Sequence, residues 1–377
     1  MELIFEREDL WEAMQIAGNV AASRNTLPIL SNVLIRAVDD HIQLAATDLE
    51  VGVKAAVKGE IVEAGSITVP AKKLVDIVRE LPSTSNSGEA AKVKLTTLAN
   101  DRVELNCEST RFRIVGLTDE EFPSLPEIGD DFLVVNSGVL RRMIRKTEFA
   151  VSTEETRHFL NGIYLRMNSD FIKMVATDGR RLAVVTQNQP NSVEEEIGVI
   201  IPTKAINNIS RTFTADEDVK IAILENQIAF ATENITLISR LIEGEYPDYE
   251  AVMAPAISNE IDLVAGTEQL LSVIRRVSLL ANPKTPSVRM EAKETELNVS
   301  ASTPELGEAQ EQMEVKNIGS SVEIAFNARF VMDVLRNIES DEVLLKLRDS
   351  LSPVLVMPQE EDQDQQDYMC VIMPMRV

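Results

Sequence analysis

With 377 residues and 44% hydrophobic content, the chain can build two or three ordinary cores. No apolar run approaches the ~18 residues that a membrane span requires, and the charged start Met1-Glu2-Leu3-Ile4-Phe5-Glu6-Arg7 lacks the basic-then-apolar order of a signal peptide. A net charge of −24 argues at first sight against nucleic acid, while the lone thiols Cys107 and Cys370 read as buried residues of a reducing, cytoplasmic compartment.

The first helix window, 7–24, places Leu10, Met14, Ala17 and Val20 on one face at helical spacing. Arg24 to Pro28 breaks the chain. Strands follow through Val38, Leu44 and Val53, with a hairpin turn at Thr47-Asp48. The strand Ile67 to Pro70 runs into a helix over 71–80. Leu74, Val75, Ile77, Val78 and Leu81 form its buried stripe, leaving Lys72, Lys73, Asp76 and Arg79 on the other face. Pro82 to Ala91 is a polar loop, and 93–117 gives two strands ending in the alternation Arg111-Phe112-Arg113-Ile114. A second stretch begins near Asp130, with a helix over 139–148 whose Arg141, Arg142, Arg145 and Lys146 form the densest basic cluster in the chain. Thr177-Asp178-Gly179 turns a hairpin between two apolar runs, because Asp and Gly tolerate the positive φ of a tight turn. Val199 to Pro202 leads into a helix over 203–211. A third stretch begins near Glu260. Its helix over 267–284 has Leu270, Leu271, Ile274 and Val277 as the apolar face, beside Arg275 and Arg276. A hairpin turns near Ser302-Thr303, Glu323 to Phe326 leads into a helix over 328–340, and the acidic tract 358–367 interrupts the last hairpin as a mobile loop.

These stretches are copies. The strand-into-helix junctions at 70, 202 and 326 lie 132 and 124 residues apart. The first two copies also close alike, on Glu121-Phe-Pro-Ser and Glu245-Tyr-Pro-Asp. The reading is an α+β chain of three tandem copies of one domain, over 1–125, 130–253 and 254–377. The six helix windows hold 16 Lys and Arg against 9 Asp and Glu, and the rest of the chain holds 21 against 52. Positive charge therefore gathers on helices, twice per copy, and negative charge on strands and loops.

Catalytic chemistry is thin. His41 and His158 stand near no plausible nucleophile or ligand cluster, and neither a Gly-x-Gly-x-x-Gly nor a P-loop is present. Glu154-Glu155 and Glu194-Glu195-Glu196 lie in loop-like stretches, where such runs are usually solvated surface. The expectation is a non-enzyme without metal or cofactor. The competing reading, a carboxylate- and metal-dependent hydrolase or nuclease with incidental repeats, needs converging acids in one copy that the others lack, and the sequence offers none.

The threefold repeat, Leu160-Asn161-Gly162, the hairpin Ala176-Thr177-Asp178-Gly179-Arg180-Arg181-Leu182-Ala183-Val184, the corner Tyr246-Pro247-Asp248-Tyr249 and the ending Met373-Pro374-Met375-Arg376 together resemble the bacterial DNA polymerase III β subunits, the sliding clamps. The likeness runs from the first helix to the last residue. It implies a head-to-tail homodimer closed into a ring of six domains, helices lining the hole and sheets outside. It also implies a processivity factor that encircles duplex DNA without reading its sequence and tethers the polymerase III α subunit. The clamp loader, other polymerases, mismatch-repair proteins and ligase would share that site through short peptides, and no membrane is involved.

Carried over by position, the peptide groove would comprise Leu160, Thr177, Gly179, Arg181, Leu182, Pro247, Val252, Val371 and Met373. Arg157, Arg180, Pro353, Pro374, Met375 and Arg376 would form its rim. Arg180 stands where relatives often carry another residue. For the ring contact the resemblance implies Phe112 and Ile114 on an edge strand against Leu279 and Leu280 of the other copy, with Arg111 and Arg113 facing Glu305 and Glu308. For DNA it implies Arg24, Lys72, Lys204, Arg211 and Arg276. Glu154 and Glu155 stand where neutral or polar DNA-contacting side chains are expected, which weakens that contact or moves it to His158 and Phe159.

Overall fold

The computed structural model describes residues 1–22, 27–129, 131–191, 193, 195–359 and 366–376. Arg24 and most of the acidic tract 358–367 therefore lie outside the described residues. Seven α-helices are described: α1 (Arg7–Val20), α2 (Ala71–Glu80), α3 (Ser137–Glu148), α4 (Thr203–Thr212), α5 (Glu250–Ile257), α6 (Thr267–Val277) and α7 (Ala328–Leu335). Where strands pair, they pair antiparallel, as hairpin-rich sequence demands. No helix among the described residues is long and apolar enough to cross a membrane.

Contacts divide the chain into two compact units, Met1–Val139 with Lys204–Leu241, and Leu140–Thr203 with Ile242–Val377. In the first, an eight-stranded sheet runs in the order Leu133–Asn136, Asp218–Ile223, Gln227–Ala231, Ile235–Arg240, Val51–Val57, His41–Thr47, Asn32–Val38 and Gly65–Pro70. Strands of the second sequence repeat thus continue a sheet begun by the first, joined where Leu237 pairs with Val53. A five-stranded sheet, Glu60–Glu63, Glu2–Glu6, Lys92–Leu98, Arg102–Cys107 and Thr110–Val115, ends on the last of these as a free edge. Helix α1 buries Leu10, Ala13, Met14, Ala17 and Val20, one stripe at 3.6-residue spacing. It lies close against α2, where Gly18 faces the Val75 methyl and leaves no space for a Cβ.

In the second unit, a nine-stranded sheet runs Ile197–Pro202, Gly162–Met167, Phe171–Thr177, Arg181–Asn188, Gln366–Ile372, Val354–Pro358, Glu342–Leu347, Ile261–Gly266 and Lys316–Ile318. Here the join between repeats is the pairing of Leu182 with Val371. A four-stranded sheet, Gly307–Glu314, Glu296–Thr303, Ser287–Ala292 and Val322–Asn327, exposes Gly307–Glu314 as its edge. Helices α6 and α7 pack together, and α6 lies on the strands of this smaller sheet.

The helix windows needed three corrections. The first helix ends at Val20 rather than 24. The window 267–284 ends at Val277 and tightens into a 3₁₀ turn, Ser278–Leu280, with Pro283 barring continuation soon after. The window 328–340 ends at Leu335, where the Asn337 amide turns back to donate to the Asp333 carbonyl. Helix α5 falls in none of the six windows. Pro255 lies inside this short helix and forgoes one main-chain bond there.

Candidate functional site

The hairpin turn at Thr177 is held by its own side chains. Thr177 Oγ1 donates to the Arg181 carbonyl at 2.6 Å and accepts from the Gly179 N–H at 3.0 Å. Asp178 Oδ1 accepts from the N–H groups of Arg180 and Arg181 at 2.8 and 3.0 Å. Gly179 sits at φ +83, a left-handed position that suits glycine. The same bonds recur in the weaker copy. Thr47 Oγ1 donates to the Val51 carbonyl, and Asp48 Oδ1 accepts from Glu50 and Val51.

Beside the Thr177 turn lies a cleft of about 320 Å³, contained in the second unit. Leu160, Thr177, Gly179 and Leu182 line one side. Pro247 and Val252, from the corner and α5, line another, and Val371 and Met373 complete it. Leu182 and Val371 also belong to a buried cluster with Val175, Val184, Tyr249, Met253, Ala256 and Leu355, so the walls are continuous with a packed core. The Met373 N–H donates to the Arg180 carbonyl at 2.9 Å, which ties the C-terminal segment to the hairpin turn.

Charged groups are graded by burial. Arg181 lines the cleft with its side chain 12% exposed. It is bonded to Asp178 at 3.2 Å and Asp333 at 2.7 Å, and its guanidinium lies 4.5 Å from the Phe330 ring and 5.3 Å from Phe149. Such stacking, with two carboxylates on its N–H groups, fixes the group as part of the wall. Arg157, a lining residue, bonds to Glu154, and Arg180, exposed and 3.7 Å from the same carboxylate, is not among the residues that line the cleft. The Arg157 guanidinium holds the Glu154 carboxyl below the usual carboxylate range. Burial pushes the phenols of Tyr246 and Tyr249 up.

Of the residues expected in the groove, ten line this one cleft. Met375 and Arg376 line a second depression with Arg289, Glu323 and Leu351, where the Met375 N–H donates to the Ala325 carbonyl at 2.7 Å. Pro353 and Pro374 line neither. Sequence reasoning missed Asp248 and Tyr249 as lining residues, although both stand in the Tyr-Pro-Asp-Tyr corner that marks the site. Phe159, assigned to DNA, lines the cleft as well, with the exposed His158 ring edge-on to it at 5.8 Å.

The residues expected to meet DNA differ in what holds them. Lys72 and Arg211 are exposed on α2 and α4, without an ion-pair partner among the described residues. Lys204 is paired with Asp48 and with Glu50. Burial works against its charged form, but the two carboxylates outweigh it and lift its pKa. Arg276 makes a two-pronged bond to Glu311, which likewise raises it. Part of the helical positive charge is thus neutralised by carboxylates on neighbouring strands and turns.

Phe112 and Ile114 lie half-buried on the free edge strand Thr110–Val115. Arg113 bonds to Glu104 of the neighbouring strand at 2.6 Å, with Arg111 at 4.0 Å. In the other unit, Leu279 is 76% exposed and Leu280 half-buried, and the Leu280 carbonyl accepts from Thr303 Oγ1 at 2.8 Å. That bond ties Leu279 and Leu280 to the hairpin carrying the exposed Glu305 and Glu308. No three His, Cys, Asp or Glu residues among the described ones converge in a way that could hold a metal.

Comparison with known proteins follows the whole chain. The models for the N-terminal, central and C-terminal domains of the DNA polymerase III beta subunit match residues 1–126, 134–248 and 255–376. A beta sliding clamp of Pseudomonas putida is 35% identical over the full length of both chains. Among solved structures, a sliding clamp from Bartonella birtlesii bound to griselimycin is 33% identical with a TM-score of 0.92. One from Pseudomonas aeruginosa, also bound to griselimycin, is 32% identical with a TM-score of 0.93. Each covers both chains completely.

Proposed function

This chain belongs to the family of bacterial DNA polymerase III β subunits, the sliding clamps. On that premise we propose that two copies close head to tail into a ring around duplex DNA. The ring tethers the replicative polymerase and other replication and repair proteins by short peptides seated in the cleft beside Thr177. The domains are the three repeats, 1–125, 130–253 and 254–377. The observation that carries the reading is the cleft: a cleft walled by Leu160, Leu182, Val252, Val371 and Met373 suits short apolar anchors, and a flexible Met suits a site with many occupants.

The protein's work is mechanical. Held by topology, a ring needs only weak, non-specific attraction to phosphates, because counterions exchange without any base being read. Lys72 and Arg211 supply such attraction directly, whereas Lys204 and Arg276 would exchange a carboxylate for a phosphate. Arg24, His158 and Phe159 complete the proposed contacts. An acidic exterior discourages DNA from adhering outside. At the ring contact, Phe112, Ile114 and the arginines of one edge strand would meet Leu279, Leu280 and the acidic edge Gly307–Glu314 of the other copy, a match of apolar area and of charge sign. No catalytic step is assigned, the partners are the polymerase III α subunit, clamp loader, other polymerases, mismatch-repair proteins and ligase, and the compartment is the cytoplasm.

The test is retention on DNA after loading by a matched clamp loader, in high salt, on nicked circles and on the same DNA cut once. Release from the linear form alone is expected. Equal release from both would mean ordinary charge-driven binding and would overturn the ring.

A further inference from the structure

Arg157, which lines the cleft, and the exposed Arg180 beside it share one carboxylate, that of Glu154. Arg157 lines the cleft and donates to Glu154 Oε2 from Nε at 3.2 Å and from Nη2 at 2.7 Å. The same Nη2 reaches the Asp178 carbonyl at 3.2 Å, so the guanidinium bridges the 3₁₀ turn Glu155–Leu160 and the hairpin turn. The other oxygen of Glu154 lies 3.7 Å from Arg180 Nη2. Glu154 is itself anchored, its N–H donating to Ser152 Oγ at 3.1 Å.

The other charged residues that line the cleft, Arg181 and Asp248, are committed elsewhere. Arg181 is shared between Asp178 and Asp333. Asp248, on another wall, accepts from the Ala251 N–H at the start of α5. Glu155 is exposed and makes no ion pair among the described residues. One carboxylate therefore serves two arginines, and the second of them, 69% exposed, is held only loosely.

We propose that Glu154 is a specificity determinant of the cleft, an internal stand-in for a partner's carboxylate that acidic peptides must displace from Arg157 and Arg180. This rests on the reading of the cleft as a peptide site. A neutral peptide seats its apolar anchors and leaves the Glu154 bonds in place. An acidic peptide exchanges one carboxylate for another, which is feasible because exposed ion pairs are weak. The natural chain consequently binds acidic peptides less tightly than its two arginines would allow, and so narrows its preference between acidic and neutral partners.

The test uses the full chain and one labelled peptide with Leu and Phe anchors, made in two versions that carry Asp or Asn on the flanks of the anchors. Binding is read by fluorescence anisotropy for the natural protein and for Glu154→Gln. Glu154→Gln is expected to bind the Asp peptide about fivefold more tightly and the Asn peptide within about twofold. The gain should fade in 1 M salt, where screening shortens to about 3 Å. An equal shift for both peptides, or no shift for either, would overturn the role of Glu154. Failure of the Asn peptide to bind the natural protein at all would instead overturn the peptide reading of the cleft.

Discussion

Leu49 and Gly179 occupy the same place in two copies of one turn, and only one of them suits it. Leu49 holds φ +77 and is 46% exposed, while its N–H donates to Thr47 Oγ1 at 3.1 Å as the Gly179 N–H does to Thr177. A Cβ in left-handed backbone costs roughly 1–2 kcal/mol, part of which glycine's extra freedom in the unfolded chain takes back. Leu49→Gly is therefore expected to stabilise the first unit by up to about 1 kcal/mol, read as a higher urea midpoint at unchanged slope. A lower midpoint would mean that the Leu49 side chain gives more than its backbone loses. Thr177-Asp178-Gly179 was legible in the sequence because its residue types are themselves the bonds of the turn. The state of Arg181 was not, since Asp333 and Phe330 stand about 150 residues away along the chain.

Among the elements, the strand Ile197–Pro202 owes its place beside Gly162–Met167 to a missing side chain. Gly198 pairs with Arg166, and a Cβ there would collide with the Tyr164 phenol. Tyr164 stacks on Tyr246 at 4.8 Å and meets Tyr249 edge-on at 6.4 Å, and Tyr249 lines the cleft next to α5. Arg166 secures the same corner, bonding to the Tyr249 hydroxyl at 3.1 Å, to Glu250 at 2.6 Å and to Glu196 at 2.8 Å. Gly198→Ala should displace the stack, destabilise the second unit by about 1–3 kcal/mol and weaken peptide binding. Thermal unfolding and the near-ultraviolet signal of the tyrosines report it, and an unperturbed signal would show that the stack can absorb a methyl group. Helices with an apolar stripe were readable from spacing alone. Helix α5 was not, because its short run has little polar face and a proline, and it is held by the corner rather than by its own pattern.

For the whole molecule, the proposed ring predicts that Leu279→Ala with Leu280→Ala yields monomers by light scattering, since the pair would supply the apolar part of one contact surface. An unchanged dimer would remove these two residues from the interface. The threefold repeat was visible in the sequence, but the partnership of its sheets was not, because strand pairing between copies leaves no local mark. The sheets run through the repeat joins, Ile235–Arg240 on Val51–Val57 and Arg181–Asn188 on Gln366–Ile372. At these seams the copies are sewn together by amide-to-carbonyl ladders, which no substitution short of proline can delete. Neighbouring copies can therefore part only by melting, never by simple undocking. A middle repeat cut out on its own would carry two raw strand edges, the ready template for aggregation.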